Sequence, residues 1–187
     1  MKTLVCLLSE QHVPNLLSVW HERPARLVLV TTKLIRGKHI DEYFLKALEK
    51  MHMSFEESDH LTIVEVPDGK DNSFPDLKAL FSQKILEGFP ESEFVINLTG
   101  GTKLMCLALY DVFRSVPNAT FRYIDVARPN HIQDVLTSSV QKIHHSLPLS
   151  AFLAGYGYDC ELRDDSEKMQ ERFDLTRKIA LSGRNRI

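Results

Sequence analysis

Four short apolar runs, each ending in polar residues and each followed by a stretch of helical spacing, restrict this chain to a sheet of parallel strands with helices on both faces. The runs are residues 2–8, 26–30, 60–66 and 94–97; the helical stretches begin at Pro14, Ile40, Pro75 and Leu104 and reach Trp20, Met51, Leu86 and Phe113. A parallel pair cannot be closed by a two-residue hairpin. It needs a crossover of a dozen or more residues, which a helix supplies, and such crossovers are right-handed. Residues 94–97 are apolar up to the last, as in a strand covered on both faces. Residues 120–126 and 131–137 are two further strand candidates, and Ala127-Arg128-Pro129-Asn130 between them is too short for a crossover, so that pair is antiparallel. The expected fold class is α/β, a mostly parallel sheet with helices on both faces and a C-terminal antiparallel strand pair. The domain spans residues 1–145. Residues 146–187, dense in charge over 159–172 and helical in period over 173–181, read as a helical extension or linker.

Charge and cysteine usage narrow the function. A formal net charge of -2 over 187 residues argues against sequence-independent binding of long nucleic acid, which needs a strongly positive face. A small anionic ligand needs only a local cluster. Lys33, Arg36, Lys38 and Lys103 are candidates for one, although residues 36–38, with Gly37 at the centre, also read as a solvated loop. No apolar run is long enough to cross a bilayer and the start lacks signal-peptide character, so the expectation is a cytoplasmic protein without a membrane partner. Cys6, Cys106 and Cys160 are scattered and read as core thiols. His144 and His145 are adjacent, so their side chains diverge by ~100° on a helix or point to opposite faces of a strand, which gives one metal ion two ligands in neither case. The expectation is no metal and no cofactor, and with no cysteine close to a histidine in sequence nucleophilic catalysis is unsupported and stays open.

The polar ends of the strands carry the candidate chemistry. In Asn97-Leu98-Thr99-Gly100-Gly101-Thr102-Lys103 a buried strand passes into a helix through two glycines. Glycines let backbone approach backbone, and the open N–H groups of a helix start face an anion. The spacing is not Gly-x-x-x-x-Gly-Lys-Ser/Thr, nor the dinucleotide fingerprint Gly-x-Gly-x-x-Gly. An ordinary turn capped by Asn97 or Thr99 is the competing reading. The first strand ends in Ser9-Glu10-Gln11-His12-Val13-Pro14-Asn15, and the second in Thr31-Thr32-Lys33. If the first and fourth strands are neighbours at the switch point, Ser9, Gln11, Thr31 and the turn from Thr99 to Lys103 share one crevice. His12, within the polar loop, reads as a ligand contact or, more simply, as an inert exposed histidine. Asp125, at the end of the fifth strand, reads as a ligand contact, a partner of Lys103 or the cap of a turn.

Together the segments 8–15 and 97–103 resemble the CARF (CRISPR-associated Rossmann fold) domain, most of all the amino-terminal domain of the cyclic-oligoadenylate-activated nucleases that join CARF to a restriction-endonuclease-like domain. The likeness takes in Thr31-Thr32-Lys33 and the segment Leu147-Pro148-Leu149-Ser150-Ala151-Phe152-Leu153, followed by Gly155-Tyr156, where the family begins a short helical extension. It implies a Rossmann-like sheet and a homodimer holding a cyclic oligoadenylate, most often the four-adenylate ring, on its twofold axis. Lys103 and the N–H groups of Gly100, Gly101 and Thr102 would take phosphates, with Thr99 beside them; Thr31, Thr32, Asn97 and Asp125 would reach ribose or adenine. Some members also cleave the ring by attack of a ribose 2′-hydroxyl on its own phosphate, without metal; here Lys103 and Ser9, with Gln11, would serve that step. Binding alone and slow cleavage both stay open. Fused members continue into a nuclease with an Asp and Glu-x-Lys metal site, a constellation this sequence lacks. Two other classes remain: a nucleotide enzyme, which would carry an acid where Thr31-Thr32-Lys33 stands, and an adaptor with a vestigial crevice.

Overall fold

The computed structural model describes residues 1–55, 60–125, 127–128, 130–144 and 146–158. The expected helical period over 173–181, the charged stretch before it, Cys160 and His145 lie outside these residues. The strands are β1 (Lys2–Leu7), β2 (Arg26–Thr32), β3 (Leu61–Val66), β4 (Glu93–Asn97), β5 (Ala119–Ile124), β6 (His131–Asp134) and β7 (Val140–Lys142). The helices are α1 (Val13–Glu22), α2 (Lys33–Gly37), α3 (Ile40–Lys50), α4 (Phe74–Phe81), α5 (Lys103–Phe113) and α6 (Leu149–Gly155). All strands join one sheet in the order β3-β2-β1-β4-β5-β6-β7. The first five are parallel, with β1 between β2 and β4, and β5, β6 and β7 pair antiparallel. The Rossmann-like α/β expectation therefore holds.

Side-chain alternation along the central strands divides the core into two layers. Val5, Leu7, Val28 and Val30 face α4 and α5, where Leu77, Phe81, Leu109 and Phe113 are fully buried. Leu4, Cys6, Leu27 and Leu29 face the other side with Leu16, Val19, Phe44 and Leu48. Ala151 and Ala154 of α6 are buried in that second layer too. Burial in the second layer pushes the Cys6 thiol up to about 12, so it is inert at neutral pH, as a core thiol should be.

The structure departs from the sequence reading in several places, among them β6, which ends at Asp134 and not at Thr137. α2 occupies residues expected to begin a loop: Thr32 Oγ1 accepts from Ile35 N (3.4 Å), which caps a helix too short to show a period. β7 is three exposed residues without alternation, so no pattern announced it. The helix expected over 75–86 ends at Phe81 and continues as a π-helical segment, Ser82–Leu86, a widening that apolar spacing does not distinguish. β2 runs two residues further than expected, carrying Thr31 and Thr32 inside the sheet.

Candidate functional site

Because β2 lies on one side of β1 and β4 on the other, the connections leaving β1 and β4 run apart and leave a crevice beyond their carboxyl ends. The register pairs Cys6 with Asn97, so the loop after β1 and the turn after β4 start level with each other. A cavity of about 500 Å³ opens there. Its walls are Leu8 to Gln11 from the β1–α1 loop, Thr32 to Ile35 from the start of α2, Val66, Pro67, Asp68 and Asp71 after β3, and Thr99 to Thr102 with Met105 from the β4–α5 turn.

The turn itself can be built only with glycine. A Cβ on Gly100 would lie 2.0 Å from the Leu7 carbonyl oxygen, and one on Gly101 would lie 2.8 Å from Leu7 Cβ; Gly101 also has φ +70°. The end of β1 thus supports the turn from beneath. Thr102 is the N-cap of α5, its Oγ1 accepting from Met105 N (3.2 Å). The other N–H groups of this first turn have no partner within the helix and form its positive end.

Of the residues expected at the site, Ser9, Gln11, Thr32, Thr99, Gly100, Gly101 and Thr102 line this cavity, and Thr31, Asn97, Lys103 and Asp125 do not. Thr31 and Asn97 are fully buried, so neither presents an atom to a ligand. Asn97 instead holds the turn: its Oδ1 accepts from Thr99 N (3.1 Å) and Thr99 Oγ1 (2.7 Å). The Thr99 hydroxyl proton is committed to that bond, and its oxygen accepts from Ile124 N (2.9 Å). Asp125 caps the following turn, accepting from Ala127 N (2.9 Å). Lys103 is exposed at the first position of α5, beside the cavity and outside its lining. Ser9 Oγ donates to Gln11 O (3.2 Å).

The expected cluster of cations is present in a paired form. Lys33 Nζ donates to Asp68 Oδ2 (2.9 Å), and each raises or lowers the other: the aspartate holds the lysine above its ordinary value, and the lysine holds the carboxyl below its own. Lys38 pairs with Glu10. Arg36 pairs with Glu65 (3.0 Å) and Asp41 (3.2 Å), so residues 36–38 are not a bare solvated loop. The lining carries Lys33 against Glu10, Asp68 and Asp71. Among the described residues no group of histidine, cysteine and carboxylate side chains is arranged to hold a metal ion. No described helix is long and apolar enough to cross a membrane.

His12 is not the exposed loop residue expected. It is buried, its ring 4.4 Å from that of Tyr156, and a Cβ on Gly155 would lie 2.5 Å from its Nε2. Neither ring nitrogen has a hydrogen-bond partner among the described residues. Burial lowers its pKa, opposed by the backbone of Glu10. Sequence reading also passed over Asp68 and Asp71. The signal was there, since the turn after the third parallel strand must open at the same sheet edge as those after the first, second and fourth.

The sequence model of the Card1 CARF domain matches residues 3–152. The chain belongs to the CARF family. The CARF domain's fold is similar to that of Can2 from Sulfobacillus thermosulfidooxidans in complex with cyclic tetra-adenylate, with a TM-score of 0.70 and 26% sequence identity over 98% of this chain and 50% of that one. Protein VC1899 from Vibrio cholerae (TM-score 0.69, 16% identity, 88% of this chain and 41% of that one) shares the fold. So does Enterococcus italicus Csm6 bound to cyclic hexa-2'-fluoro-hexa-dAMP (TM-score 0.56, 22% identity, 67% and 34%). The chain spans half or less of the length of these solved structures. No curated protein sequence matches it.

Proposed function

We propose that this CARF domain binds a cyclic oligoadenylate, with cyclic tetra-adenylate the first candidate, as a sensor in type III CRISPR signalling. The observation that carries the reading is the glycine turn at the switch point, whose α5 N-terminus faces a cavity of about 500 Å³ in a chain of this family. The first-turn N–H groups and the nearby Lys103 ammonium suit phosphate, and Leu34, Ile35 and Pro67 give apolar surface for a purine. Four adenylates exceed a cavity of a size that suits one drug-sized ligand. Each protomer then holds part of the ring, and an isologous dimer brings two equivalent cavities to it across the twofold axis.

Ring cleavage is a second reading, favoured by the Ser9 hydroxyl on the cavity wall. A ribose 2′-hydroxyl attacks the adjacent phosphorus, the bond to the 5′-oxygen breaks, and a 2′,3′-cyclic phosphate and a 5′-hydroxyl result. The protein needs only to align this displacement and stabilise phosphoryl charge. The test is titration with cyclic tetra-adenylate and with the six-adenylate ring in EDTA, chromatography of the products, and sedimentation. Saturation at one ring per two chains with the ring intact supports a sensor. Linear products that disappear in Ser9→Ala or Lys103→Ala support a ring nuclease. Absence of binding to either ring overturns the proposal.

A further inference from the structure

Asn15 lies on α1, outside the cavity, and is fully buried. Its Nδ2 donates to the Leu7 carbonyl at the end of β1 (2.8 Å), and its Oδ1 accepts from Asn97 Nδ2 at the end of β4 (2.7 Å). Asn97 passes the connection to Thr99, and Thr99 Oγ1 passes it to Ile124 N at the end of β5. The polarity of this chain is set at both ends by backbone groups. Leu7 O can only accept and Thr99 N can only donate, so each amide between them has a single orientation that satisfies all its bonds. A Cβ on Gly100 would come within 3.2 Å of Asn15 Nδ2, so the amide also lies directly under the glycine turn.

We propose that Asn15 is a positioning residue that locks the two walls of the cavity, the loop Ser9 to Gln11 and the turn Thr99 to Thr102, into one register. Without its amide, Asn97 loses the acceptor that orients it, and the Leu7 carbonyl under Gly100 loses a donor. The walls then shift independently although neither has lost a residue. For ligand affinity the inference rests on the proposed function; for the geometry of the walls it does not.

The experiment is amide hydrogen exchange by NMR and ring titration on the full chain carrying Asn15→Ala. Asn15→Ser, which keeps a donor near Leu7 O and cannot span to Asn97, is the milder variant read in the same way. The expected result is exchange roughly tenfold faster at Thr99 and Ile124, with Leu29 in β2 and Val64 in the edge strand β3 unchanged, and ring affinity about tenfold weaker. Uniform acceleration at all four amides, or none, overturns the positioning role. So does unchanged ring affinity in a variant whose parent binds. If the parent binds no ring, the proposed function fails and the exchange pattern still decides the role of Asn15.

Discussion

At the scale of single residues, the position that tolerates least is Gly100. Its missing Cβ is the space occupied by the Leu7 carbonyl, a backbone atom that cannot move aside. Gly100→Ala is expected to cost about 3 kcal/mol in urea unfolding, the upper range for forced overpacking. Gly37, where a Cβ would meet nothing within 4 Å, is the control. Gly37→Ala is expected to be neutral or to stabilise by up to about 1 kcal/mol through the unfolded chain. His12 supplies the pH dependence. Its pKa lies below the ordinary 6.5 in the folded protein, so on acidification the unfolded chain takes up a proton that the folded one refuses. Stability is full above pH 6.5 and is lost as pH falls below it, by at most about 1.4 kcal/mol per pH unit. Unfolding curves at pH about 7 and about 5.5 are expected to converge in His12→Gln relative to the parent. The other histidines contribute equally to both proteins and cancel in that difference.

At the scale of elements, the helix starts are where polar residues become site. Thr102 caps α5 through Met105 N, and Thr32 caps α2 through Ile35 N. Thr102→Ala is expected to cost about 1 kcal/mol, which for a chain of this size lowers Tm by about 2–4 °C in a thermal melt. The same fraying disorders the N–H groups offered to phosphate, so ring affinity is expected to fall in parallel. The four long helices were legible because each buries one face at helical spacing, and β1 to β4 because each is a short apolar run ending in polar residues before a helix. α2 and β7 were not, at five and three residues, because neither completes a period. The π-helical segment was hidden for a related reason: its apolar residues, Ile85 among them, meet the core at a spacing an α-helix also allows.

At the scale of the whole molecule, electrostatics around the cavity read as ion exchange. Two of the cations near it are held by carboxylates of other elements, Lys33 of α2 by Asp68 after β3 and Lys38 by Glu10 of the β1–α1 loop. A polyanion must displace these carboxylates or bind against them. Asp68→Asn is therefore expected to tighten ring binding severalfold at low salt, with the gain shrinking at high salt as screening rises; calorimetry at two ionic strengths checks it. An unchanged or weaker affinity would mean that Asp68 contacts the ligand favourably.

The layered α/β architecture, the edge of the sheet where ligand chemistry collects, and the glycine turn that marks it are all written in the order of the amino acids. They follow from local periodicity and from steric demands carried by a few residues. Which polar side chains face the cavity is instead a matter of long-range packing. Thr31, Asn97 and His12 are as polar as Thr102 and Gln11, yet the first three are buried and the last two lie open. A polar residue at a strand end satisfies its hydrogen bonds either inward or toward solvent. The choice depends on whether a neighbour from a distant part of the chain, such as Asn15 beneath Asn97 or Gly155 over His12, occupies the inner side.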